Sequence, residues 1–387
     1  MRKIWTIVKK EILDNLREKR TFIIVVITPL FLYPILFMAM GYFTVREKVK
    51  EEQVVYQIGV INPDADNNIC RLIKDAGNLE LLECKNAVES IKKKGVEVVL
   101  KIDYTKYLKR ILIYYDGASK DSKNALERIE RILTNYKEDI IKKRIKERGI
   151  NENILQPFTT ERNNIASAKK MAGYILGTII PYILILIAFS GAMTSGLDIT
   201  AGEKDRKTLE TLLVTDVKRS EIVIGKTLSI FILSLLSTIS GLVGLMITFS
   251  SGFSIIGYEL SSSASIPWLS CILILLIMLP LIWLFSSVIT LIGAIAKSRK
   301  EADGYSLYVY FLVILLAVLS VMRLTQPTPK LFMIPVLNIA LLQQEILVGE
   351  VNISNFIITI VSSFIYASLA FFITKSIFKT EGFLFRE

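Results

Sequence analysis

The sequence has no histidine and only three cysteines, Cys70, Cys84 and Cys271. Without histidine there is no Ser-His or Cys-His nucleophile and no imidazole-ligated zinc site. Three cysteines are too few for a disulfide framework. A P-loop is missing as well: Gly225-Lys226-Thr227 has Ser220 where Walker A requires glycine,. Carboxylates are missing from every long apolar run, whereas transporters driven by protons or sodium keep ionisable residues in their spans. No catalytic constellation and no metal-ligand set emerge, so the chain is not predicted to be an enzyme.

Apolar length is what the sequence has in excess. Of its 387 residues 52% are hydrophobic, and mean hydropathy is +0.48. Six runs approach or exceed the roughly 20 apolar residues that cross a bilayer as a helix. They fall at 21–43, 171–195, 222–249, 267–296, 305–322 and 353–374. Pro29 and Pro34 in the first and Pro280 in the fourth predict kinks rather than ends. The first run is longer than a signal h-region and follows about twenty charged and amphipathic residues, so it is read as retained. Residues 330–350 are apolar but broken by Pro335, Asn338, Gln343, Gln344 and Glu345. They predict a re-entrant or interfacial element, not a seventh span.

Lysine and arginine set the orientation. Seven lie in residues 1–20, five in 196–221, three in 297–304 and three in 375–387, against none in 250–266. Both termini are therefore predicted to be cytoplasmic, with 375–387 a cytoplasmic tail. Residues 44–170 fall on the outer side, and they hold 26 of the 47 basic residues and 20 of the 36 acidic ones. More than half of the +11 net charge thus sits in a solvated outer segment, which removes the case for nucleic acid. Its β-branched stretches at 54–61, 96–102 and 110–115 predict strands, and 86–94 and 122–147 predict helices. The fold class expected is an α-helical polytopic membrane protein with six transmembrane helices and an inserted extracellular α/β domain. Cys70 and Cys84 could pair in an oxidising exterior or remain free thiols. The run Lys142, Lys143, Arg144, Lys146 and Arg148 reads as a solvated helix end.

Two cytoplasmic segments have amphipathic patterns. In residues 1–20, Trp5, Val8, Ile12 and Leu16 predict the apolar face of an interfacial helix. In 197–226, Leu209, Leu212, Leu213 and Val217 share one helical face, with Lys204, Arg206, Lys207, Glu210 and Glu221 around the rest. That helix can lie on the membrane or insert into a partner's groove. Lys226, about one turn into the third run, is expected to snorkel to the interface. Hydroxyls and amides offer the only polar groups for a substrate path: Ser190, Thr194, Ser234, Ser237, Ser286, Ser287, Thr290 and Asn338. For the hydroxyls, helix packing and local hydrogen bonds are the plainer reading.

The stretch Thr208-Leu209-Glu210-Thr211-Leu212-Leu213-Val214-Thr215, with Glu221 and Gly225-Lys226 behind it, resembles the coupling segment of ABC exporter permeases of the NatB-like group. Lys207 and Asp216 depart from that pattern, where glycine and proline are usual. Lys10-Glu11 through Arg20 with Pro29 and Tyr33-Pro34 resemble the same group, as do Ile334-Pro335-Val336-Leu337-Asn338 through Gly349-Glu350. The C-terminal Phe378, Glu381 and Leu384-Phe385-Arg386 do so too. The resemblance implies that Glu203, Thr208, Leu209, Glu210, Leu212, Leu213, Glu221 and Lys226 couple to a separate cytoplasmic ABC ATPase, which uses ATP and Mg. It implies no cofactor on this chain, a second permease copy, and a multi-pass place in the cell membrane. Sodium is the cargo it suggests. Peptide, antibiotic or lipid-like cargo, and a scaffold or sensor using the outer domain, are the alternatives.

Overall fold

A computed structural model describes residues 2–63, 66–93, 95–105, 108–149, 168–206, 208, 217–250, 267–321 and 327–378. The chain divides into two compact units, Met1–Tyr42 with Ile165–Glu387, and Phe43–Asn164.

Among the described residues six helices are long and apolar enough to cross a membrane. Span one (Lys19–Arg46) runs through a π turn at Ile23–Ile27, where the Thr28 N–H reaches back to the Ile23 carbonyl. Pro29 follows directly and has no N–H to return, so the helix widens instead of breaking. Spans two to six are the helices Ala168–Ile199, Arg219–Ser250, Trp268–Ile295, Arg299–Val321 and Ile353–Ile377. Each extends past the predicted apolar run by a few residues at one or both ends, except span four, because helices continue into the polar interface beyond the hydrocarbon.

The spans pack through small residues. A Cβ on Gly244 of span three would stand 2.1 Å from the Leu30 carbonyl oxygen of span one. That carbonyl is the one Pro34 leaves without its intrahelical donor, so the two backbones meet where only glycine fits. The shared core includes Tyr33, Leu184, Phe189, Ile230, Ile282, Phe285 and Ile339. Phe189 is fully buried in it, edge-on to Phe285 and stacked on Tyr310.

The segment before span six forms a 3-10 turn (Pro329–Met333) and a twelve-residue helix (Leu337–Val348), too short to span,. Between them Val336 takes φ 72°, ψ −56°, a conformation that β-branched residues rarely adopt. Asn338 donates to Ser362 and Ser363, while Glu345 accepts from Asn355 and from the Asn352 N–H. The short helix therefore runs antiparallel to span six along its first ten or so residues.

The second unit holds a four-stranded sheet. Its strands β1 (Tyr56–Ile61), β2 (Leu79–Glu83), β3 (Val98–Thr105) and β4 (Leu108–Tyr115) lie in the order β2-β1-β3-β4. β1 pairs in parallel with β2 and β3, and β4 closes the edge antiparallel to β3. Val98 and Leu100 point to one face, against Ile69 and Ile73 of the helix Asn67–Asp75 and Ala125 and Ile129 of the helix Lys120–Glu147. Val99 points to the other, against Ala87 and Val96, as period-two alternation requires. The sequence reading missed β2, whose Leu-Glu-Leu-Leu-Glu pattern is short and charged, and the helix Asn67–Asp75. Asp66 caps that helix, accepting from the N–H groups of Asn68 and Ile69,. Cys70 and Cys84 are not joined in a disulfide.

Candidate coupling site

Span two ends at Ile199, and after Thr200 the chain turns into a five-residue helix, Ala201–Asp205. The turn presses against span four: a Cβ on Gly293 would collide with the Thr200 side chain. Successive side chains of this short helix then reach separate elements.

Glu203, 4% exposed, is the acidic centre. Its Oε2 accepts from Lys226 Nζ of span three at 2.5 Å, and its Oε1 from Lys10 Nζ of the N-terminal helix (Arg2–Arg17) at 3.1 Å. Lys226 also donates to the Ile199 carbonyl at the end of span two. Lys226 does not take the predicted route to the interface. The ammonium is 1% exposed, because a carboxylate and a helix-terminal carbonyl replace its water. Burying an ion pair is tolerated where such extra hydrogen bonds offset lost hydration.

Lys204 Nζ donates to the Ala294 and Ala296 carbonyls at 2.5 and 2.9 Å. It thus caps the C-terminal end of span four, where a cation suits the helix dipole. The Asp205 carboxylate accepts from the Arg299 N–H at 3.2 Å, at the first residue of span five,. Asp198, in the last turn of span two, accepts from Arg299 Nη1 at 2.6 Å and from Arg206 at 3.4 Å. Thr208 donates to the Glu203 carbonyl at 3.3 Å. Glu221 stays outside this hub and caps the start of span three by accepting from the Lys218 N–H. Val217 is half-buried beside it. Leu209, Glu210, Leu212 and Leu213 lie outside the described residues.

The N-terminal helix buries Ile7, Val8, Glu11 and Asn15. Ile7 fits the space left by Gly225 of span three. Of the predicted face, Val8 is buried and Ile12 and Leu16 pack on the main core, but Trp5 is 63% exposed. Glu11 and Asn15 are buried on this helix as well, and Asn15 donates to the Glu11 carbonyl. Lys10 bridges Glu11 and Glu203, at 3.1 Å from each. Burial pushes the Glu11 carboxyl above its usual pKa, and the Glu203 charge adds to this against the pull of Lys226 and Lys10,. Burial lowers Lys10, but the two carboxylates outweigh it and leave its pKa raised.

The substrate-path candidates separate by their surroundings. Ser234 and Ser237 of span three donate to the Ala188 and Ile187 carbonyls of span two. Ser286, Ser287 and Thr290 donate to carbonyls one turn earlier in span four. Asn338 holds the short helix to span six. Ser190 is half-buried, and Thr194 lines a cavity of about 150 Å³.

A family model described as ABC-2 family transporter protein matches residues 5–383. The chain belongs to the ABC-2 transporter family. It is also 27% identical to the ABC transporter permease protein NatB of Bacillus subtilis (strain 168), over 96% of this chain and 97% of that one. The NatB-like resemblance read from short motifs thus runs the length of the chain. Of the hub's residues in this ABC-2 protein, Glu203, Lys204, Arg206 and Lys226 were singled out from the sequence as coupling candidates, whereas Lys10, Glu11, Asp198, Asp205 and Arg299 were not. The available signal was charge at span ends, since ionisable groups flanking apolar runs are placed to pair across helices.

Proposed function

We propose that this chain is the permease subunit of an ATP-driven exporter, worked by a separate ABC ATPase that binds ATP and Mg in the cytoplasm. The observation that carries the reading is the Ala201–Asp205 helix, tied to the N-terminal helix and to the ends of spans two, three, four and five. Residues 209–216 follow it after three residues and make the segment that docks on the ATPase, while the buried Glu203 and Lys226 tie that segment to the spans. A push there is delivered at once to five elements. ATP-driven closure of the ATPase pair would tilt the hub and move the spans of two paired permeases against one another.

The chain itself binds no cofactor. Positive charge at 1–20, 196–221 and 297–304 supports cytoplasmic termini in a multi-pass cell-membrane protein, with 44–170 outside. For sodium as cargo, the candidate ligands Ser234, Ser237, Ser286, Ser287 and Thr290 are neutral hydroxyls already engaged in packing between or within helices.

Replacing Leu209 or Leu213 by aspartate tests the docking role. The variants should insert in the membrane as before but fail to link ATP hydrolysis to export. Unchanged export, with the ATPase still retained on co-purification, would refute it.

A further inference from the structure

Between the start of span one, the end of span two and the start of span five lies the cavity of about 150 Å³, lined by Glu18, Arg20, Thr21, Thr194, Arg299 and Asp303 among others. Sites for drug-sized ligands occupy about 300–1,000 Å³, so this one suits a headgroup-sized moiety. Its charges balance, two cations against two carboxylates, which favours neither a simple anion nor a simple cation.

The side chains are not equivalent. Arg299 is held by Asp198 at 2.6 Å, and Glu18 accepts from the Thr21 hydroxyl at 2.8 Å. The charged groups of Arg20 and Asp303 have no partner among the described residues and do not close on each other. Opposite charges facing one cleft without pairing match a ligand that carries both signs. The cleft also lies where span one leaves the basic N-terminal segment, the level of the inner headgroups. Beside it Phe22 and Ile23 of span one are 39% and 51% exposed, an apolar path for chains that follow a headgroup into the bilayer.

We infer that this cavity binds the zwitterionic headgroup of an inner-leaflet amphiphile, with phosphate toward Arg20 and Arg299 and a primary ammonium toward Asp303 and Glu18. Thr194 and Thr21 supply neutral hydrogen bonds on its floor. Arg299 belongs both to this cavity and, through Asp198 and Asp205, to the coupling hub. An occupied site is therefore in contact with the segment that ATP hydrolysis moves. The inference rests on the exporter reading and gives it a cargo class, a phosphate-and-ammonium amphiphile.

Binding is measured on the full chain in detergent without any ATPase, so its failure and a failure of ATP coupling are separate results. The probes are short-chain phosphatidylethanolamine, short-chain phosphatidylglycerol and free phosphoethanolamine. Arg20→Gln and Asp303→Asn, both at exposed positions, should each weaken phosphatidylethanolamine about three- to tenfold, the scale of a partly exposed charge contact. Asp303→Asn should leave phosphatidylglycerol unchanged, and Thr194→Val, at a neutral position, should weaken the ethanolamine lipid less. Free phosphoethanolamine binding as tightly as the lipid, with the same variant pattern, would make the source soluble and uphold the headgroup chemistry. Equal binding of both lipids, unmoved by either charge variant in protein with an unchanged melting profile, would overturn it.

Discussion

Lys226 Nζ and Glu203 Oε2 lie 2.5 Å apart, with their side chains 1% and 6% exposed. The pair joins the base of span three to the first turn after span two, and Lys10 extends it to the N-terminal helix. Removing Glu203 leaves the Lys226 ammonium buried without its carboxylate, which costs about 3–5 kcal/mol, whereas removing Lys226 leaves Glu203 with Lys10 alone. Glu203→Gln and Lys226→Met should each lower the melting temperature of the purified chain substantially. The double variant should be less destabilised than the sum of the two, with a coupling of about 0.5–3 kcal/mol. Strict additivity in that cycle would mean that the pair is not a unit.

Glu11 gives the fold a pH dependence of definite sign. Its carboxyl is raised above the ordinary value of 4.5, chiefly by burial. Below that value it is protonated in both folded and unfolded chains and contributes nothing. As pH rises from there toward the folded value, the unfolded chain loses the proton first and stability falls. Above the folded value the loss is constant. Glu11→Gln should remove this slope and leave the chain more stable than the parent at neutral pH. A parent and variant with parallel stability–pH curves would count against the assignment.

Gly244 and Gly304 make a matched contrast. A methyl on Gly244 meets the Leu30 carbonyl at 2.1 Å, while one on Gly304 meets nothing within 4 Å. Gly244→Ala should force spans one and three apart and cost about 1–3 kcal/mol, as overpacking does. Gly304→Ala, inside a helix with open space around it, should stabilise by about 0.5–1 kcal/mol. Thermal unfolding in detergent would read both, and equal effects would refute the close approach.

Val336 holds a backbone conformation that suits glycine. Val336→Gly and Val336→Ala both lose the buried side chain, but only the alanine variant keeps the steric conflict at φ 72°. The glycine variant should therefore be the more stable of the two by about 1 kcal/mol, the reverse of their order in ordinary helices. Asn338, two residues on, reports the same hinge through its bonds to Ser362 and Ser363. If the alanine variant melts higher, the strain is absent.

The sequence by itself determined the six apolar helices and most of the strands and helices of the 56–147 sheet unit. Each depends on hydrophobic run length or on a local period, and those act within one segment. It also pointed to 197–226 as the segment of interest. Only the tertiary structure decided which charges meet. Lys226 looked like a side chain bound for water and is instead buried against Glu203, because span three is covered there by the N-terminal helix and by the Ala201–Asp205 turn. Likewise only the tertiary structure shows that Glu11 of the amphipathic N-terminal helix is buried beside the charged hub. Ion pairing between residues 193 positions apart, as in Lys10 and Glu203, leaves no periodic trace in a chain. It is set by which helix ends the fold brings together, and that is where the charged hub is built.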